Sequence, residues 1–132
     1  KDFNYVFDAV VYAVFVSLGF ATVENFFYLW NANLFTVIAR SLFTIPGHAA
    51  FGIIMGYYFG FAKYYKTMEY KNKYTQNIYC SLFFAIVYHG IFDFILAFDN
   101  TYSSIIYVVF YIYLGINAIY KVNNRCFNEK NA

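Results

Sequence analysis

The chain has 132 residues, of which 62% are hydrophobic and only 12% are charged, and its formal net charge is +2. Soluble domains average about half apolar residues and about a quarter charged residues, so this composition excludes an ordinary soluble globular protein. Nucleic-acid binding needs a denser positive charge, and we expect no nucleic-acid partner. The length favours a single domain.

Four long apolar segments dominate the chain, at residues 5–30, 34–62, 78–98 and 102–120. Crossing the hydrocarbon core of a bilayer takes about 20 helical residues. Lipid leaves only helices or closed barrels as spanning structures, and no alternating strand pattern occurs. The sequence therefore predicts an all-α, polytopic transmembrane helical bundle of about four spans. We expect a membrane core over residues 1–120 and a polar cytoplasmic tail over 121–132.

The first segment ends in ATVENFFYLW, which places Glu24, Asn25 and Tyr28 in an apolar span. Glu24 and Tyr28 lie four residues apart and share a helix face, with Asn25 beside them. An ionisable side chain inside a membrane costs a few kcal/mol, so it usually faces the bundle interior and serves a function. Glu24 is therefore a candidate site residue, and the alternative is a packed, protonated acid.

The second segment carries a ridge of residues at intervals of four. The double GxxxG pattern in it predicts a close approach of a neighbouring helix. Pro46 precedes Gly47 and predicts a kink or break in the helix, with a hydrated cavity beside the following histidine. The arginine of the ridge is a candidate anchor for a carboxylate or a substrate carbonyl. The ridge consists of Arg40, Thr44, His48, Gly52, Gly56 and Gly60.

The third segment contains VYHGIFDFILAF, in which His89 and Asp93 are four residues apart and share a helix face. This spacing suits two ligands of one metal, or an acid that orients a base. The alternative is a His–Asp pair that satisfies itself and only stabilises the bundle.

Lysine and arginine are concentrated at two places, and the positive-inside rule makes those places cytoplasmic. The connection between the second and third segments, residues 63–74, is predicted to be a cytoplasmic loop. The C-terminus is predicted to be cytoplasmic as well, and four spans then put residue 1 on the same side. The basic residues are Lys63, Lys66, Lys71 and Lys73 in the connection, and Lys121, Arg125 and Lys130 after the fourth segment.

The depths of the buried polar residues favour one shared site in the outer half of the membrane. At about 1.5 Å per residue, Glu24 and Arg40 lie roughly 9 Å from the outer ends of their segments. Asp93 lies roughly 8 Å and His89 roughly 14 Å from the outer end. His48 comes out deeper, at roughly 21 Å, so we expect tilt or irregularity to bring it into the site.

Two hydrolytic chemistries fit this set of side chains. In one, His48, His89 and Asp93 hold a divalent metal such as zinc, which activates water. In the other, a carboxylate such as Glu24 is the general base and the histidines stabilise the oxyanion. Other function classes use similar residues. A small transporter or proton relay would show inverted repeats or paired broken helices. A non-catalytic membrane scaffold would not need the buried ionisable residues.

Three ordered motifs resemble the PrsW family of intramembrane proteases, within the CAAX-protease and bacteriocin-processing superfamily. The similarity covers roughly residues 8–94, through DAVVYAVFVSLGFATVENFFYL, ARSLFTIPGHAAFGIIMGYYFGFA and HGIFDF. The resemblance implies a multi-spanning protease of a bacterial-type cell membrane that cleaves a single-span membrane protein, such as an anti-sigma factor, outside the cytoplasm. The resemblance implies catalytic roles for Glu24, His48, His89 and Asp93, and supporting roles for Asn25 and Tyr28 of the ENxxY motif. Arg40 remains the candidate anchor described above.

The chain departs from the family pattern in one respect. The family carries a paired-glutamate motif on a preceding helix, and this chain has no adjacent acidic pair. We therefore expect the chain to be part of a longer protein and to be inactive alone. A full-length chain without the pair would instead be a non-catalytic relative.

Overall fold

The computed structural model describes residues 6–30, 32–98 and 100–126. Within these residues it has four helices and no strand. Helix α1 spans Val6–Leu29, α2 spans Leu34–Thr67, α3 spans Lys71–Leu96 and α4 spans Thr101–Cys126. All four are long and apolar enough to cross a membrane. The predicted all-α polytopic architecture is confirmed, and the chain is an integral membrane protein.

The connection between α2 and α3 is much shorter than the predicted loop at 63–74. Only residues 68–70 separate the two helices, so the prediction of a loop that long was wrong. Lysine, glutamine and methionine are good helix formers, and a helix need not end where its apolar segment ends. The same reasoning applies to α4, which continues to Cys126, so residues 121–126 of the predicted polar tail are helical. Residues 1–5 and 127–132, including Lys130, lie outside the described residues.

The end of α2 is closed by a turn in which Glu69 has a positive φ of 60°. The Tyr70 amide donates to the Tyr65 carbonyl at 2.9 Å, and the Glu69 amide donates to the Lys66 carbonyl at 3.2 Å. This pair of bonds is a Schellman motif, which satisfies carbonyl groups that the helix end leaves open. The turn sends α3 back across the membrane directly beside α2.

The sequence predicted a kink or a break at Pro46. Helix α2 continues through Pro46, so a break was the wrong alternative. Proline removes the amide that would bond to the Leu42 carbonyl, and its ring crowds this turn. The next carbonyl, that of Phe43, accepts a hydrogen bond from the Tyr111 hydroxyl of α4 at 3.0 Å. Membrane helices tolerate proline where a neighbouring helix supplies such bonds.

Helix α2 is the centre of the bundle and contacts α1, α3 and α4. The glycines of its ridge lie directly on the backbone of α1. A Cβ atom on Gly56 would be 2.5 Å from the Cα of Val10, and one on Gly52 would be 2.7 Å from the Cα of Val14. The predicted close approach is confirmed, and α1 is the helix that makes it.

The opposite side of α2 packs through large side chains. The core there is formed by Phe51 and Ile54 of α2, Phe92 of α3 and Leu114 of α4, all buried. Elsewhere many large apolar side chains point outward, as Phe15 and Phe27 do. Such exposure suits a lipid environment, where the outer surface of a bundle is as apolar as its interior.

Candidate metal centre and active site

Glu24, His48 and His89 converge inside the bundle from three different helices. One ligand atom from each lies within 4.8 Å of the others. The closest approach joins Nε2 of His48 to Oε2 of Glu24, at 3.0 Å. The imidazole rings of His48 and His89 have their centroids 4.9 Å apart. His48 is only 1% exposed, so the centre of this cluster is shielded from the surroundings.

His48 lies further along its apolar segment than Glu24 does, yet their side chains meet. The direction in which helical side chains point explains this. Side chains tilt toward the N-terminus of their own helix. Since α1 and α2 are antiparallel, Glu24 tilts away from the α1–α2 connection while His48 tilts toward it, and the two side chains approach each other. The hydroxyl of Ser17 on α1 donates to the His48 carbonyl at 2.7 Å and fixes the register of the two helices here.

Asp93 stands behind His89 rather than among the converging ligand atoms. Its Oδ2 lies 3.0 Å from Nε2 of His89, and its side chain is about half exposed, at 52%. The sequence predicted Asp93 as the third metal ligand beside His48 and His89. Among the described residues, the carboxylate that converges with the two histidines is that of Glu24. The i, i+4 spacing leaves Asp93 on the same helix face as His89, so it contacts the His89 imidazole.

Arg40 lies beside Glu24 and stacks on the ring of Tyr28. The Arg40 Nη2 lies 3.9 Å from Oε1 of Glu24. Its guanidinium carbon lies 3.4 Å from the centroid of the Tyr28 ring, which is a cation–π stack. The structure therefore gives Arg40 a partner within the chain. Asn25 lies beside this group, and its Oδ1 is buried without a hydrogen-bond partner.

Two phenylalanines that the sequence analysis did not single out pack against the imidazoles. The Phe20 ring is 5.8 Å from that of His48 and 5.6 Å from that of His89, centroid to centroid. The Phe51 ring is 5.6 Å and 5.5 Å from the same two rings. Spacing was a usable signal, because Phe20 is one turn before Glu24 and Phe51 is three residues after His48.

A cavity of about 520 Å³ opens beside the two histidines, between α1 and α3. It lies next to His48, where we predicted a hydrated cavity, but its lining does not support the predicted hydration. Apart from the imidazoles and Ser17, its lining is apolar and includes Val16, Leu82 and Ile86. An apolar cavity favours hydrocarbon or an apolar side chain over ordered water.

The converging residues fit a divalent metal. Ligand atoms about 2.1 Å from a tetrahedral zinc lie about 3.4 Å from one another, close to the observed separation of Glu24 and His48. Buried polar atoms normally have hydrogen-bond partners, yet Oε2 of Glu24 and Nε2 of His48 have none of good geometry. Two imidazoles and a carboxylate are also a ligand set known for catalytic zinc.

The family model described as PrsW family intramembrane metalloprotease matches residues 1–117. The chain belongs to this family. Curated proteins named Protease PrsW are similar to it: the one from Clostridioides difficile is 37% identical over 118 residues, which covers 86% of this chain and 48% of the relative. The one from Oceanobacillus iheyensis is 37% identical over 122 residues, covering 92% and 54%.

The relative from Bacillus subtilis is 34% identical over 124 residues, which covers 92% of this chain and 55% of the relative. The chain thus spans about half the length of these PrsW relatives. No solved structure matches the chain. The matched region includes every residue of the converging cluster.

Proposed function

We propose that the whole protein is an intramembrane endopeptidase that hydrolyses a peptide bond of a membrane-anchored protein. The observation that carries the proposal is the convergence of Glu24, His48 and His89 inside a transmembrane bundle, beside an apolar cavity. Such a cavity suits the apolar segment of a single-span substrate. The resemblance to PrsW proteases suggests an anti-sigma factor as that substrate.

Glu24, His48 and His89 are the residues that would hold the metal, and a bound divalent ion such as zinc would supply Lewis-acid activation of water. Asp93 would orient the His89 ring, as carboxylates do for metal-bound histidines. Arg40 would hold the Glu24 carboxylate in place. Phe20 and Phe51 would keep bulk water from the imidazoles. Without a metal, Glu24 would act as the general base, with the histidines stabilising the oxyanion.

We propose that the cluster lies in the outer half of the bilayer and that both chain ends are cytoplasmic. The support is the asymmetry of charge between the two ends of the bundle. Lys63, Lys66, Lys71 and Lys73 surround the α2–α3 turn, whereas residues 30–33 and 98–101 contain no lysine or arginine. The positive-inside rule assigns the lysine-rich end to the cytoplasm.

The test is cleavage by the full-length protein in liposomes, with single-span peptides as substrates. We expect His48→Ala and His89→Ala to abolish cleavage and to lower the bound zinc measured by mass spectrometry. Gln76→Ala, an exposed polar position on α3, is the control and should keep both properties. Loss of cleavage with a chelator and recovery with zinc would support the metal over the glutamate chemistry.

Two results would contradict the proposal. One is full cleavage by a folded His48→Ala variant. The other is a folded wild-type protein that cleaves no peptide in a broad panel. Proton flux through the same liposomes, lost in the histidine variants, would then favour a proton relay. Absence of both activities would favour a non-catalytic scaffold.

A further inference from the structure

A second cavity, of about 320 Å³, lies between α2 and α3 at the lysine-rich end of the bundle. Its lining consists of Phe59, Lys63, Lys66, Tyr74 and Ile78. Lys66 is 18 residues after His48 on the same helix, or about 27 Å along its axis. The cavity is therefore remote from the candidate active site and needs a separate explanation.

The lining changes from apolar to cationic along the membrane normal. Phe59 and Ile78 lie further from the α2–α3 turn, and Lys66 and Tyr74 lie nearer to it. On α2, Lys66 is seven residues after Phe59, which corresponds to about 10 Å along the helix axis. A phospholipid has the same polarity gradient, with an acyl chain that leads outward to a phosphate.

The α2–α3 turn and the helix ends beside it are rich in lysine. Residues 63–74 contain four lysines and a single acid, Glu69. Lys73 is directed to aromatic rings outside the cavity, with its Nζ 5.1 Å from the Tyr65 centroid and 5.4 Å from that of Tyr70. Lys66 faces the cavity instead, with its Nζ 5.9 Å from the ring centroid of Tyr74.

We propose that this cavity binds the phosphate headgroup of an anionic phospholipid. The Lys66 ammonium neutralises the phosphate, and the Tyr74 hydroxyl donates a hydrogen bond to it. The acyl chain runs along Phe59 and Ile78 toward the membrane interior. Basic pockets between membrane helices recognise anionic headgroups in this way. The proposal does not depend on the protease activity.

The test is lipid retention by the purified full-length protein in detergent, followed by native mass spectrometry. The probes are phosphatidylglycerol, which is anionic, and phosphatidylcholine, which is zwitterionic and has matched acyl chains. We expect tighter binding of phosphatidylglycerol. Lys66→Gln should weaken that binding about fivefold.

The matched control is Lys73→Gln, which removes the same charge from the same end of the bundle but outside the cavity. Salt screens an exposed charge outside the cavity, so this variant should leave the affinity for phosphatidylglycerol within about a factor of two of the wild type. Lys66→Arg keeps the charge and should keep the affinity, which guards against misreading a folding defect. Circular dichroism checks the helix content of each variant.

Three results would overturn the proposal. The first is equal binding of the two lipids by the wild-type protein. The second is an equal loss in Lys66→Gln and Lys73→Gln, which would mean diffuse surface charge and not a site. The third is full displacement of the lipid by glycerol phosphate at equal concentration, because the site would then recognise a free phosphate.

Discussion

The two sides of α2 pack by different means. Toward α1 the contact is made by backbone, since Gly52, Gly56 and Gly60 leave no room for a side chain. Toward α3 and α4 the contact is made by large side chains, such as Phe51 against Phe92, whose ring centroids are 5.7 Å apart. In lipid there is little hydrophobic drive between helices, so both interfaces depend on close packing.

This difference matters for the candidate site, because the site lies across both interfaces. Glu24 and His48 are brought together by the glycine-backed contact, in which the distance between helices is fixed by backbone atoms. His89 arrives on α3, whose position is set by interlocking rings. A glycine contact tolerates no added atom, whereas an aromatic contact loses packing gradually when a ring is trimmed.

The largest expected effect comes from filling the glycine contact. Gly56→Leu places a side chain where even a Cβ would be 2.5 Å from the Cα of Val10. We expect a loss of stability at the upper end of the range for overpacking, about 3 kcal/mol or more, measured by unfolding in mixed micelles. Zinc affinity should fall too, because displacing α1 moves Glu24 away from His48.

The control for that substitution is Gly19→Leu on α1, because a Cβ at Gly19 has no atom within 4 Å. It should be neutral or slightly stabilising, since leucine has the better helix propensity. Equal stability of the Gly56 and Gly19 variants would show that the two helices are not in backbone contact.

Trimming the aromatic interface should cost less. Phe92 is 2% exposed, and Phe92→Ala leaves a cavity against Phe51 and Tyr107. Core Phe→Ala changes cost about 3–5 kcal/mol in soluble proteins, and lipid removes the transfer part of that cost, so we expect about 2 kcal/mol. Phe94→Ala, on the same helix but 66% exposed, should change the free energy of unfolding by less than about 0.5 kcal/mol.

Removing the hydrogen bond beside Pro46 should have a smaller effect. Tyr111→Phe keeps the ring and leaves the Phe43 carbonyl without its hydroxyl donor. Interhelical hydrogen bonds in membranes contribute about 0.6 kcal/mol on average, and up to about 1.7 kcal/mol. We expect a loss in this range from mixed-micelle unfolding, with Tyr102→Phe, 80% exposed, as the unaffected control. A loss of the same size in both variants would contradict the role given to Tyr111.

The smallest expected effect is a gain at the α2–α3 turn, away from both interfaces. Glu69 has a φ of 60°, a conformation that glycine adopts without steric cost. Glu69→Gly should therefore stabilise the bundle by about 0.5–1 kcal/mol. Glu69→Ala keeps the Cβ and should show no such gain, so equal melting temperatures for the two variants would argue against the left-handed turn.

Much of the fold could be predicted from the sequence because membrane insertion depends on composition and length. The four apolar segments became four helices, and the double GxxxG became a close helix contact. The helix ends were harder to predict. An apolar run marks the part of a helix that lies in hydrocarbon. Helix α2 ends and α3 begins at a three-residue turn, which lies several residues beyond the apolar runs.

The sequence also identified the polar residues that belong inside the bundle, because an ionisable side chain there is costly without a role. It fixed the pairing of His89 with Asp93, since residues four apart on a helix share a face. Only the tertiary structure decided that Glu24, and not Asp93, joins the two histidines. That choice depends on the crossing of α1 over α2 and on the opposite tilt of side chains in antiparallel helices, which are relations between segments that no local spacing contains.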